Sequence, residues 1–184
     1  MGVPDEQLML AYAGGDAAAF DALYGRHKGP LFRFVLRSVK ARGEAEEIFQ
    51  DVWMRAIEAR GRYEAKAKFT TWLYTIAHNR MVDHWRAKGL TVVPLDAGDD
   101  GPVIDPPAGP EAEPHRRAEA RQSVAKLLDA LAALPAAQRE AFLLHEESGL
   151  TVAEIAIATG TPEETAKSRL RYAMNKLREA IGDD

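Results

Sequence analysis

Residues 150–182 read LTVAEIAIATGTPEETAKSRLRYAMNKLREAIG, and the order of residues in this stretch decides the fold. Thr151 is followed three residues later by Glu154, while Thr161 is followed by Pro162 at a first helical position and then by Glu164. Both patterns read as capping boxes, in which hydroxyl and carboxylate take up the amide hydrogens that the first turn of a helix leaves without partners. Between them, Gly160 is free to adopt the left-handed conformation that ends one helix and lets the next leave at a steep angle. Ala166, Leu170, Ala173, Met174, Leu177 and Ile181 recur at helical spacing and predict one apolar face. Two capped helices joined at a glycine predict a helix-turn-helix.

The opposite face of the second helix carries Lys167, Ser168, Arg171, Tyr172, Asn175 and Arg178. Lys and Arg reach phosphates or the guanine edge, Ser adds a short hydrogen bond, and a helix fits the major groove of DNA. A basic amphipathic helix alone fits a solvated surface equally well. The paired caps around the turn favour DNA binding.

The whole chain has 184 residues and a formal charge of −4, with apolar and charged fractions of 46% and 28%. These are the proportions of a globular protein with one large or two small domains. There is no cysteine, which excludes a disulfide framework, a thiolate metal site and a thiol nucleophile, and which suits a reducing compartment. The start, MGVPDEQLML, has no basic leader, and no segment approaches a membrane span, so the expected location is cytoplasmic, with no membrane insertion.

A negative chain argues at first against a DNA binder, because phosphate neutralisation supplies most non-specific affinity. The distribution reverses that argument. Asp96, Asp99, Asp100, Asp105, Glu111 and Glu113 fall in one stretch without Lys or Arg, and they alone turn a remainder of +2 into −4. The same stretch is rich in Pro and Gly (Pro94, Gly98, Gly101, Pro102, Pro106, Pro107, Gly109, Pro110, Pro114), a composition that neither packs a core nor continues a helix. At roughly 20 residues it is too long for a connection inside a compact domain. Residues 5–89 are therefore expected as one domain, 90–118 as an acidic linker and 119–184 as a second domain.

Outside the linker every periodic segment is helical, without strand alternation or internal repeat. Phe20, Leu23, Tyr24, Leu31, Phe32, Val35 and Leu36 predict a helical region interrupted near Gly29-Pro30. Ile48, Phe49, Val52, Trp53, Ala56 and Ile57 predict an amphipathic helix with Glu47, Gln50, Asp51, Met54 and Arg55 on its far face. Phe69, Trp72, Leu73, Ile76, Ala77, Met81 and Trp85 predict a longer one, opposite Thr75, Asn79, Asp83 and Arg86. Val124, Leu127, Leu128, Leu131 and Leu134 form a stripe ended by Pro135, and Ala141 to Leu144 begin another before Gly149. The fold class is all-α, in two small helical domains. Between Arg60 and Lys88, basic residues interleave with Tyr63, Phe69, Trp72, Tyr74 and Trp85, a mixture that suits an unpaired strand, although aromatics mostly supply packing area.

The run EAEEIFQDVWMRAIEARGRYEAKAKFTTWLYTIAHNRMVDHWRAKG resembles the second conserved region of bacterial sigma factors, and LPAAQREAFLLHEESGLTVAEIAIATGTPEETAKSRLRYAMNKLREAI resembles the fourth. With nothing like the first or third regions, the chain resembles the extracytoplasmic-function (ECF) sigma factors of the sigma-70 family. That resemblance implies a dissociable promoter-recognition subunit of RNA polymerase. Glu47, Gln50, Asp51 and Arg55 would dock on the clamp helices of the core enzyme. Lys66, Lys68, Phe69 and Thr70, with Asn79, Asp83 and Arg86, would hold the −10 element with one base flipped out, at a cost of a few kcal/mol that contacts to that base must repay. Lys167, Ser168, Arg171 and Tyr172 would read the −35 element, and Thr165 and Arg169 would grip phosphates.

The resemblance also implies an anti-sigma factor as partner. It implies a connector that threads toward the RNA channel, where its acids would mimic nascent RNA; a solvated tether is the alternative. The chain ends just past the recognition helix, and no fused C-terminal sensor is expected. One departure stands out: Glu164-Thr165-Ala166, preceded by Glu163, enters the recognition helix where many relatives have Gly-Thr-Val, placing two carboxylates near DNA phosphates. The rival reading is a stand-alone helix-turn-helix activator or repressor, which leaves the basic-aromatic N-terminal helix unexplained. An enzyme has little support, since His78 and His84 fall on different helix faces and there is no nucleotide-binding loop or HExxH pair. No catalytic residue, metal, cofactor or small-molecule substrate is expected.

Overall fold

The computed structural model describes residues 2–89 and 114–182, all of whose regular structure is helical. In chain order the elements are α1 (Asp5–Ala13), α2 (Ala17–Val39), α3 (Arg42–Ala59), a single 3₁₀ turn (Arg60–Arg62), α4 (Phe69–Ala87), α5 (Pro114–Ala133), α6 (Ala136–Ser148), α7 (Val152–Thr159) and α8 (Glu163–Gly182). Helix α5 begins inside the stretch expected as linker; the acidic residues 96–113 lie outside the described residues.

Asp16 starts α2 by accepting hydrogen bonds from the amides of Ala18 and Ala19 at 3.0 and 3.3 Å. The helix then runs unbroken through Gly29-Pro30, against the interruption expected there. An internal proline costs about 3 kcal/mol or more. Just beyond it, Leu31, Phe34 and Val35 are fully buried, and such side chains contribute about 1.5–3 kcal/mol each. Packing therefore outweighs the local breaker. The helix ends at Lys40, whose backbone is left-handed (φ 66°, ψ −24°) and whose amide donates to the Leu36 carbonyl.

Ile48 and Val52 of α3 and Leu73, Tyr74, Ala77 and Met81 of α4 complete the N-terminal core. Helix α1 is pinned to α2 where Asp5 takes Arg26 and the His27 ring, each at 2.6 Å.

In the C-terminal half, α5, α6 and α7 all pack on α8. Ala166, Leu170, Ala173 and Leu177 are buried as expected, whereas Ile181 is 47% exposed and Val124 of α5 is 44% exposed. Burial in α5 sets in only from Leu127 and ends in α8 at Leu177, so the outer ends of both stripes overhang the core. The Thr151–Glu154 capping box closes in both directions, and Gly160 is left-handed at φ 62°. The second box does not close among the described hydrogen bonds: the Thr161 hydroxyl lies 3.0 Å from that of Thr159. Gly149, also left-handed, ends α6.

The two halves pack on each other, α2 against α6 and α4 against α7. Their buried residues form one continuous cluster.

Candidate nucleic-acid interface

The left-handed turn at Gly160 sets α8 so that its buried row lies against α5–α7 and the opposite row faces outward. Lys167, Arg171 and Tyr172 are exposed, while Ser168, Thr165 and Arg169 are half-buried at the edges of that row. The Arg171 guanidinium lies 5.3 Å from the centroid of the Tyr172 ring, a cation–π contact that holds both side chains on one outward patch. Lys167 sits 3.9 Å from Glu164, so one of the unusual acids at the helix entrance partly neutralises a member of the basic row.

The loop leading into α4 is built differently. Lys68 precedes the helix without capping it through its side chain. The cap comes from α1, where Glu6 Oε1 accepts from the Phe69 amide at 2.7 Å. Sequence reasoning missed Glu6, because no local pattern joins residues so far apart. Burial, reinforced by Glu6 and Asp5, pushes the Tyr63 hydroxyl up to about 12.

Phe69 corrects an expectation. It is 1% exposed and packs among His27, Tyr63 and Trp72 with ring centroids 5.2–6.3 Å apart. Its ring shapes the loop from beneath and is not available to stack on a base. Tyr63 and Tyr74 are likewise core residues. Tyr74 meets Phe34 edge-on at 5.2 Å, and burial pushes its hydroxyl strongly up. Of the aromatics between Arg60 and Lys88, Trp72 and Trp85 remain half-exposed.

Lys66 and Lys68 are exposed and Thr70 half-buried. Lys66 pairs with Glu64, and Lys68 lies 2.9 Å from Glu154 of α7. Asn79 and Arg86 are exposed along the outer line of α4. Asp83 accepts both terminal nitrogens of Arg55 at 3.1–3.2 Å.

That ion pair ties the α4 line to α3, whose face at Glu47, Gln50, Asp51 and Arg55 is exposed or half-exposed. Arg80 draws in Asp51 at 2.7 Å and Glu47 at 3.8 Å. The two surfaces expected to serve separate partners are thus joined by shared charges. His78 and His84 go separate ways: His78 meets Glu140 at 2.6 Å. His84 meets Glu44 at 3.2 Å, and Lys88 holds the Glu44 carboxyl below its usual range.

Comparison with known proteins places this geometry. Residues 23–91 match the family described as Sigma-70 region 2, and residues 125–177 match Sigma-70, region 4. The chain is 30% identical to RNA polymerase sigma factor CarQ of Myxococcus xanthus, over 95% of this chain and 96% of that one. It is 31% identical to the ECF RNA polymerase sigma factor SigM of Mycobacterium tuberculosis, over 97% and 85%. It is 34% identical to the ECF RNA polymerase sigma factor RpoE of Cereibacter sphaeroides, over 89% and 87%. Among solved structures it resembles the sigma factor RpoE of Bartonella quintana in complex with the anti-sigma factor NepR, with TM-score 0.71, 27% identity and coverage of 90% and 98%. CnrH in complex with the cytosolic domain of CnrY shares the fold, with TM-score 0.69, 22% identity and coverage of 98% of each chain.

Proposed function

The chain belongs to the extracytoplasmic-function branch of the RNA polymerase sigma-70 family, and from that premise we propose how its surfaces divide the work of promoter recognition. It is an RNA polymerase sigma factor, a transcription initiation factor and not an enzyme. It acts in the cytoplasm on core polymerase and promoter DNA, and among the described residues no helix is long and apolar enough to cross a membrane.

The α3 face at Glu47, Gln50, Asp51 and Arg55 docks on core polymerase. Lys66, Lys68 and Thr70, with Asn79, Asp83 and Arg86, hold the single-stranded −10 element, while Phe69 supports them from below. Lys167, Ser168, Arg171 and Tyr172 read the −35 duplex, and Thr165 and Arg169 grip its backbone. Residues 5–89 and 119–184 are the two functional units, with an acidic connector between them. An anti-sigma factor restrains the protein, a reading supported by the likeness to RpoE in its complex with NepR.

The observation that carries this reading is the outward row of α8, set by the closed capping box and the left-handed Gly160. The test mixes the protein with bacterial core polymerase and a pool of promoter fragments, then sequences the transcripts that depend on it. Defined starts sharing −10 and −35 elements are expected, and Arg171→Ala removes the −35 preference. If core never initiates while the protein binds duplex DNA alone, the stand-alone activator or repressor reading replaces this one.

A further inference from the structure

Helix α1 lies outside every surface assigned above, yet it reaches both ends of the loop that enters α4. That loop, residues 64–68, is exposed along its length and bounded by two buried rings, Tyr63 and Phe69, whose centroids lie 6.3 Å apart. At the near end, the Tyr12 ring of α1 lies 5.7 Å from the Arg60 guanidinium, in the 3₁₀ turn that leads to Tyr63. At the far end, the Glu6 carboxylate accepts from the Phe69 amide at 2.7 Å. Asp5 turns the other way and takes Arg26 and the His27 ring of α2. That ring in turn packs on Phe69, with 5.2 Å between centroids. Met9, buried in the core, seats the helix that carries these groups.

Helix α4 supplies no substitute for Glu6. It has no acid in its first turn, and the Lys68 side chain does not cap it. A helix start presents amides that need acceptors and a partial positive charge that favours an anion. The carboxylate that meets the Phe69 amide comes from 63 residues away. The buried Tyr63 hydroxyl has no hydrogen-bond partner among the described residues, so its side chain is held by packing. Glu6 is therefore a polar anchor at the end of the loop where Lys68, Phe69 and Thr70 meet the helix.

We propose that Glu6 is a positioning residue of the −10 site, acting through the Phe69 amide to hold residues 64–70 in the shape that receives a flipped base. With Asp5 it makes α1 a clamp on that loop. The proposal deepens the sigma reading and rests on it. A loop already shaped binds a strand without the ordering cost that a loose one meets on binding, and base flipping has an unstacking cost of its own to offset.

Three substitutions separate this role from a mere effect of charge. E6Q keeps an acceptor of the same reach and loses the charge. E6D keeps the charge and draws the acceptor back by one methylene, and E6A loses both. Holoenzyme is assembled from each full chain with bacterial core polymerase, on a promoter from the transcript pool carrying 2-aminopurine in its −10 element, whose fluorescence reports the unstacked base. Binding of a duplex −35 fragment by the same holoenzymes and thermal melting of each chain are measured alongside.

The equilibrium constant for strand opening is expected to fall about tenfold in E6A and E6D, the size of one lost helix cap. In E6Q it is expected to stay within about twofold of the unmutated chain, because glutamine also serves as a capping acceptor. Duplex −35 binding is expected to be unchanged in all three. Equal losses in E6Q and E6A, with E6D like the unmutated chain, would assign the effect to charge and overturn the proposal. Unchanged or improved opening in E6A and E6D overturns it too. So does a loss shared equally by opening and −35 binding, which would make Glu6 a general stabiliser. If E6A fails to fold, E6D against E6Q decides the matter alone. Absence of opening by the unmutated holoenzyme removes the sigma reading, whereas opening that is indifferent to E6A and E6D removes only the clamp.

Discussion

The outward row of α8 and the loop entering α4 use the same residue types for opposite conditions. On α8, Arg171 lies over a neighbouring ring, and Lys167 has only a distant acid at 3.9 Å. At the loop and on α4, Lys66, Lys68 and Arg80 each hold a carboxylate within ordinary ion-pair reach. On the proposed reading, the duplex-facing cations of α8 would meet phosphates with little to give up, whereas the strand-facing Lys66 and Lys68 would first exchange acids for phosphates. On that reading the two surfaces would differ in what each must release before it meets DNA.

The largest expected effect breaks the comparison by removing the scaffold of one side. Leu144 is fully buried in α6, and Leu144→Ala is expected to cost about 2–5 kcal/mol in urea denaturation. If the N-terminal half retains its own transition while duplex binding is lost, the two regions are separable units; a single lower transition would make them one cooperative body.

Next, Arg171→Ala is expected to weaken duplex binding by about 1–3 kcal/mol. Lys68→Ala should leave duplex affinity within about twofold, a surface cation of the other half contributing little there. Equal losses in gel-shift titrations would erase the distinction between the two surfaces.

A smaller effect tests how α8 is aimed. Thr151→Ala opens the capping box of α7 and is expected to cost about 0.5–2 kcal/mol of stability by thermal melting. Duplex binding should fall with it at elevated temperature and recover on cooling; unaltered melting would mean that packing alone sets the turn.

The smallest is a pH effect. The hydrogen bonds from Thr151 and Lys68 hold the Glu154 carboxyl below the ordinary carboxylate range. A depressed carboxyl contributes stability that is complete above its unfolded value and is lost as pH falls through the folded one. Melting is therefore expected to be flat in this contribution from neutral pH down to about pH 5 and to fall below about pH 4. E154Q removes that part of the acid limb; an unchanged limb would assign it to other carboxylates.

The helix-turn-helix was legible because its determinants are local: a cap, a glycine and an apolar row, all within a single stretch of chain. The same local reasoning failed at Pro30, where a breaker is overruled by the burial of Leu31, Phe34 and Val35. Periodicity placed Phe69 on the right helix, but composition suggested that it and its aromatic neighbours meet a strand, and only the fold decides which rings face inward. The contact between the two halves was invisible for a plainer reason. The paired Arg33 and Glu147 lie 114 residues apart, and His78 and Glu140 lie 62 apart. Nothing in either neighbourhood marks the other.

Glu6 bears on how such proteins can be cut and recombined. The match to Sigma-70 region 2 begins at residue 23, yet the amide that opens helix α4 is satisfied by a carboxylate from residue 6. A chimera assembled at the boundary of the family match would carry every residue proposed to touch the −10 strand and leave the Phe69 amide at the start of α4 without its carboxylate. The transplantable unit is longer than the recognisable one.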